Sequence, residues 1–550
     1  MSGADFTGFD LIDRPWLLAR TLTGDRVELP LLETVRQAHR LAGLVGEVPT
    51  QVFASTRLLL AVLHRAIDGP RDPGHWERLW SAAELPVDHV ADYLDRHRDR
   101  FDLLDVKAPF MQVAGLHTAK DEVAELARLI ADVPNGHPFF TNRLGEVTSL
   151  SFAEAARWIV HCHAFDPSGI KSGAVGDERV KQGKGYPIGT GWSGYLGGVL
   201  PEGRTLRDTL LLNLIPHSGG QGSDETDRPV WEREPVGPAE EVDGGRTPTG
   251  RVDLYTWQSR RIRLAHDGTR VTGVLICNGE RITPQNKHPV EPHTAWRRST
   301  AQEKKLRQHV VYMPREHDPE KAVWRGLQPM LPGAAAAQGS EAAPFLTPSV
   351  LEWIAEVDDT IGEDYPIRLH TIGMSYGPQS ATTVEIVADS VRLHAVLLRR
   401  DAGNLVDTAV QCVRDAEAAA RALGKLARNL GEAAGYRPNR KAGPGDRDGP
   451  RDGAVELAYA TLDPLIRSWL WTLTRDTPPL EVHAVWHRTA WTAIHRLGSD
   501  MVGRAPLTAW AGRVVDGKRL MTSSHAHRFF LADLRAALPF SQTDTTEVTR

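Results

Sequence analysis

The sequence predicts an α+β fold, with a large mixed α/β domain over residues 1–395 followed by a C-terminal four-helix bundle over 396–550. Two observations carry the prediction. Strand-like and helix-like apolar patterns interleave through the first part of the chain. After Asp401 only helical spacing remains, with Val406, Val410, Val413, Ala416, Ala420, Leu423 and Leu430 on one apolar stripe.

Taken in order, residues 31–66 read as helical, from Leu31, Leu32 and Val35 to Val52, Leu58, Leu59 and Val62. Further helices are expected over 92–101, 120–131 and 151–162. Between the last two, residues 132–145 hold two prolines and two glycines, which place Phe139 and Phe140 in a loop. Strands are expected at 254–257, 261–264 and 271–276, with Asp267-Gly268 as a hairpin turn. Two more, at 367–372 and 382–387, flank Gly373-Met-Ser-Tyr-Gly-Pro-Gln-Ser-Ala381, a tight turn with Gln379 at its tip. The Ala/Gly-rich stretch 332–344 reads as a linker. The remaining bundle helices are expected over 454–474, with Pro464 as a kink, 481–501, and 524–538 after a Thr522 cap. Their short connections suggest antiparallel packing.

A chain of 550 residues exceeds one core, and roughly two to four domains follow. Hydrophobic content of 41% and charged content of 25% are those of a globular chain, and no run of about 18 apolar residues exists to span a membrane. The polar, acidic start is not a signal peptide, and the widely separated Cys162, Cys277 and Cys412 fit a reducing, cytoplasmic setting. They also form no C-x-x-C zinc site. Net charge is −5, yet Arg260, Arg261 and Arg263 cluster, as do Arg297, Arg298, Lys304, Lys305 and Arg307. Each cluster is either a phosphate-binding patch or a solvated face.

Nine glycines fall between Gly173 and Gly198, and Gly189-Thr-Gly-Trp-Ser-Gly194 is a literal G-x-G-x-x-G. A dinucleotide loop needs a strand before it and a helix opening at its third glycine. The flanks here are turn-like, so segment 183–198 reads as a pliable connection, with a nucleotide-binding enzyme as the alternative. His161-Cys162-His163 invites a metal reading, but helix residues two apart point about 200° from each other and share no face. Asp358-Asp359 and Glu240-Glu241 read as solvated faces. No nucleophile, base and orienter stand together, and no catalytic residue is assigned. Gln379 is of another kind, since a protruding amide can read a minor groove or wedge between base pairs.

Several segments, in order, resemble one family: the large subunit (CasA) of the type I-E CRISPR surveillance complex, Cascade. They are Leu11-Ile-Asp-Arg-Pro-Trp-Leu17, Pro109-Phe-Met-Gln112, Ile170-Lys-Ser-Gly173, Leu206-Arg-Asp-Thr-Leu-Leu-Leu-Asn-Leu214, Pro229-Val-Trp231 and Pro292-His-Thr-Ala-Trp296. The resemblance implies a non-catalytic subunit that reads the protospacer-adjacent motif of double-stranded DNA from the minor groove. It further implies help in forming the R-loop with the guide RNA, assembly with the other Cascade subunits, and recruitment of the helicase-nuclease. By position it places the wedge at Gln379, flanked by Pro378 and Ser380, and the motif-reading loop at Ser168, Gly169 and Lys171. Family relatives can be richer in glycine at that loop. Asn278 or Lys287 would be the basic finger, and Asn135, Phe139, Phe140 and Asn142 the mobile loop. Cysteines of the zinc type found in some relatives are missing, so no metal and no cofactor are expected.

Overall fold

The computed structural model describes residues 8–131, 147–216, 226–335, 343–437, 448–515, 517 and 519–542. Asn135, Phe139, Phe140 and Asn142 lie outside the described residues. Two compact units make up the chain: Met1–Lys321 with Gln338–Ile361 and Pro366–Ser390, and Ala322–Ala337 with Gly362–Tyr365 and Val391–Arg550.

In the first unit, Pro49 opens the helix Pro49–Ala66 where a missing N–H costs nothing. That helix is buried along most of its length and packs on the helix Phe152–Phe165, which starts from a capping box of Ser151 and Glu154. His161 and His163 turn to different partners, as their spacing demands. His161 Nε2 lies 2.8 Å from Thr50 Oγ1, and His163 Nε2 lies 2.8 Å from the Met111 carbonyl oxygen. Small sheets surround the helices. One has four strands in the order Lys184–Gly185, Lys171–Ser172, Val271–Asn278, Arg260–His266, the last two joined through Asp267-Gly268. Another orders Thr383–His394, Pro366–Tyr376 and Gly198–Glu202. Inside the unit Arg57 donates through both terminal nitrogens to Glu291, each at 2.8 Å, and Trp192 Nε1 donates to the same carboxylate at 2.5 Å.

Several sequence expectations are corrected. Residues 31–66 form two helices, Leu31–Arg36 and Pro49–Ala66, with the strand Leu41–Leu44 between them. The helix expected over 120–131 is only a short turn, Leu126–Arg128. Ala124 exchanges backbone bonds of 2.9 and 3.0 Å with Val274, and this sheet contact replaces the helical ladder. The strand expected over 254–257 is the helix Arg251–Tyr255, because the Asp227 carboxylate accepts the first-turn amides of Val252 and Asp253. Arg260 and Arg261 form no phosphate patch, being 1% and 0% exposed. Glu240 is not solvated but binds Arg179 at 2.9 Å and Arg281 at 3.1 Å. In contrast, Arg297, Lys304, Lys305 and Arg307 are exposed.

The second unit contains the four expected helices, Gly403–Ala434, Gly449–Trp471, Pro479–Gly503 and Ser523–Ala537, the first packing on each of the others. Thr522 caps the last by accepting the His525 amide, and Pro464 lies inside the second. The buried stripe of the first helix is rich in alanine, at Ala409, Ala416, Ala419 and Ala420. The sequence reading missed the short helix Leu507–Ala511 and the hairpin of Arg513–Val515 and Arg519–Met521.

Two predictions follow from the buried charges and rings. Arg57→Met leaves the Glu291 carboxylate buried without its counter-charge, and denaturant titration should show a loss of about 3–5 kcal/mol. The double substitution Arg57→Met with Glu291→Leu should recover most of it, and equal losses in both variants would refute the ion-pair account. Burial lowers His161, His163 and His293 from 6.5 to about 3, 4 and 3. The unfolded chain therefore takes up these protons first, so their contribution is complete above pH 6.5 and fades as pH falls toward the folded values. By about pH 5 three such groups should steepen the loss to about 4 kcal/mol per pH unit. A flat stability profile there would mean that the rings protonate in the native state.

Candidate nucleic-acid interface

The helix Phe152–Phe165 ends where Asp166 N–H closes its last turn on Cys162, at 3.0 Å, and Pro167 prevents continuation. The loop that follows is fastened from below by Arg260. Its Nε donates to the Asp166 carboxylate, and Nη2 donates to the carbonyls of Asp166, Pro167 and Gly189 at 3.1, 3.1 and 2.9 Å. Lys171 Nζ lies 2.5 Å from the same carboxylate. Burial pushes the Asp166 carboxyl up, but the Lys171 and Arg260 charges outweigh it and hold it below the usual carboxylate range. At Lys171 burial wins over Asp166 and lowers the ammonium. One carboxylate between two cations leaves a single positive charge at the base of the loop.

The hairpin tip meets this loop. Gly377 N–H bonds the Thr382 carbonyl at 2.9 Å, closing the turn, and Ser380 N–H bonds the Gly377 carbonyl at 2.9 Å. Gln379 and Ser380 both take positive φ, 58° and 54°, a left-handed conformation that costs a side-chain-bearing residue and is maintained by these bonds. Ser168 N–H donates to the Ser380 carbonyl at 2.7 Å, so the two predicted elements are clipped together. Pro378 and Gln379 remain exposed, while Ser168 is 7% exposed. Between them lies a cleft of about 860 Å³ whose lining includes Ser168, Gly169, Lys171, Tyr186, Pro187 and Gln379.

Of the expected contact residues, the cleft thus gathers Ser168, Gly169, Lys171 and Gln379, with Ser380 behind them and Pro378 at the tip. Asn278 has a different place. It is 3% exposed, and its Nδ2 donates to the Tyr186 carbonyl at 2.6 Å, seating one wall of the cleft from inside. Lys287 is half-buried and does not line the cleft. Sequence reasoning missed Asp166 and Arg260 as the frame and Tyr186 as an exposed aromatic wall; a tyrosine-proline pair after a glycine was the available signal.

The glycine-rich segment makes no phosphate cradle. The amides of Gly189, Gly191 and Gly194 already donate to Ser168 Oγ, the Asp166 carbonyl and the Gly191 carbonyl, at 3.2, 2.9 and 2.9 Å. A tight turn, Trp192–Tyr195, stands where a dinucleotide fold opens a helix. A Cβ on Gly191 would sit 2.5 Å from the Ala164 backbone, which explains the glycine by close packing. Burial pushes the cleft-lining Cys162 thiol up, away from the reactive thiolate form. His161, which lines the cleft beside it, is held neutral by burial.

Known proteins share the sequence pattern and the fold. The family model described as CRISPR-associated protein Cse1 matches residues 10–497. A curated relative from Thermus thermophilus, CRISPR-associated protein CasA/Cse1, is 32% identical over 345 residues, covering 62% of this chain and 62% of the relative. The chain therefore aligns with less than two thirds of that relative's length. The crystal structure of Thermobifida fusca Cse1 is similar at 46% identity with a TM-score of 0.89, covering 97% of this chain and 99% of that one. A chain described as a CRISPR RNA-guided surveillance complex shares the fold at a TM-score of 0.60 and 18% identity, over 90% of this chain and 99% of that chain. With the family model matched over most of its length, the chain belongs to the Cse1 family of CRISPR-associated proteins.

Proposed function

We propose that the chain is the large, non-catalytic subunit of a type I-E Cascade complex, which reads a short protospacer-adjacent motif of duplex DNA through the minor groove. It then promotes strand opening and R-loop formation with the guide RNA, and recruits the helicase-nuclease. The observation that carries this reading is the Ser168–Ser380 bond, which clips a small-residue loop to the strained tip bearing Gln379. The minor groove is about 6 Å wide and presents a degenerate pattern, suited to backbone groups and one amide rather than to a helix. Gln379, exposed at a tip held by two internal bonds, would enter the base stack beside the loop at Ser168 and Gly169, whose amides already donate internally, so that groove contact there falls to carbonyl rather than amide groups. The positive charge left by Lys171, Arg260 and Asp166 favours a polyanion at the cleft. The exposed Arg297, Lys304, Lys305 and Arg307 supply phosphate contacts away from it. Partners are accordingly double-stranded DNA, the guide RNA and other Cascade subunits, and the helicase-nuclease. Among the described residues no helix is long and apolar enough to cross a membrane.

Gln379→Ala in the assembled complex should slow R-loop formation about tenfold, because a wedge offsets part of the few kcal/mol needed to unstack a step. Closed-duplex binding to the motif should change much less. Stopped-flow fluorescence of a base analogue beside the motif reads the opening step, and unaltered kinetics would remove Gln379 from it. Replacing Lys304 and Lys305 together by Gln should flatten the dependence of log K on log salt by up to about two. An unchanged slope would place the DNA backbone elsewhere.

A further inference from the structure

Within the helical unit, Asp415 on the helix Gly403–Ala434 faces His483 and His487 on the helix Pro479–Gly503. The two histidines are spaced i, i+4 and so share one helix face, as His161 and His163 do not. Both Nε2 atoms lie 2.9 Å from Asp415 Oδ2, and the three candidate ligand atoms all lie within 4.8 Å of one another. Four ligand atoms around a zinc ion at about 2.1 Å are themselves about 3.4 Å apart, so each Asp415–histidine separation of 2.9 Å has to open by about half an ångström. Gln411 Nε2 donates to Asp415 Oδ1 at 2.8 Å and fixes the carboxylate, as outer partners of metal ligands do. The side chains of His483 and Asp415 are 14% and 13% exposed, leaving a path for a fourth ligand from solvent, whereas His487 is closed in. We propose that Asp415, His483 and His487 form a binding site for one divalent transition-metal ion of the zinc class.

Filling this site conflicts with the C-terminal turn. The Phe540 amide donates to His487 Nδ1 at 3.1 Å, and the Phe540 ring stacks on His487 at 5.4 Å and meets His483 edge-on at 5.1 Å. With Nδ1 accepting, His487 carries its proton on Nε2 and donates it to Asp415. A metal on Nε2 needs that nitrogen bare, and a neutral imidazole then carries its proton on Nδ1, against the Phe540 N–H. Two donors cannot face each other, so metal occupancy displaces the turn Pro539–Gln542 from the bundle. The cluster escaped the sequence reading because Asp415 lies 68 residues from His483, and only the i, i+4 histidines were visible.

The full-length chain, stripped with chelator and titrated with zinc chloride by calorimetry, should bind one equivalent. His483→Gln, at the partly exposed ligand, should weaken binding by at least the roughly 100-fold that loss of an outer partner can cost, with melting showing that the variant folds. Zinc should also speed hydrogen exchange at the Phe540 amide. Phe540→Pro, which has no N–H to donate, should bind zinc about tenfold more tightly. Absence of zinc binding, or equal binding by His483→Gln, would overturn the site. A Phe540 amide still protected in the zinc-loaded chain would overturn the exclusion of the turn.

Discussion

The cleft depends on one buried guanidinium. Arg260 is 1% exposed, and a cation in that position is tolerable only if it is fully paired. Its partners are the Asp166 carboxylate, three loop carbonyls and the Ser259 carbonyl, drawn from the helix exit, the glycine-rich segment and the residue ahead of its own strand. Asp166 and Pro167 are the exit of the helix Phe152–Phe165, and Gly189 belongs to the glycine-rich segment. Arg260 itself is anchored in a strand whose neighbour, Val271–Asn278, carries Asn278 and pairs with Ser172. Helix, sheet and glycine-rich loop therefore all meet on one side chain, alongside the direct bonds from Gly189 to Ser168 and from Gly191 to Asp166. Removing it would leave Asp166 with Lys171 alone and these carbonyls without that donor.

Much of the fold was legible because its signals are local. The Asp267-Gly268 turn, the tip at Gln379 and the four long helices each follow from a few neighbouring residues, and the structure contains all of them. The errors share a cause. A helix over 120–131 and a strand over 254–257 were overridden by contacts with Val274 and Asp227, far away in sequence. Clustering of charge alone makes Arg260 and Arg261, with Arg263, either a phosphate-binding patch or a solvated face. Both are instead buried, and each finds its own carboxylate, Asp166 or Glu280. Clustering of charge along the chain could not reveal this.

The candidate site was legible in part and for a different reason. Ser168, Gly169 and Gln379 were placed by resemblance, and the bond from Ser168 to Ser380 joins segments more than two hundred residues apart that no spacing rule would pair. Asn278 shows the limit of such placement. A residue near the right position in the chain turned out to hold a wall rather than to project from it, because Gly185 and Tyr186 pack over its amide.

This division of roles has a physical logic. Readout by backbone groups requires that the backbone not yield, since a loop that can shift by an ångström discriminates poorly between groove shapes. Glycine and serine supply small contact surfaces but no rigidity of their own. Rigidity has to come from beneath, and buried ion pairs and carbonyl-bound guanidinium groups provide it without occupying the surface. The left-handed conformations of Gln379 and Ser380 belong to the same arrangement. Strain of that kind persists only where the surroundings over-determine the backbone, and the Ser168 amide together with the Gly377–Thr382 closure does so here. The exposed glutamine is thus the one long side chain at the tip, presented by a frame whose charges are largely buried.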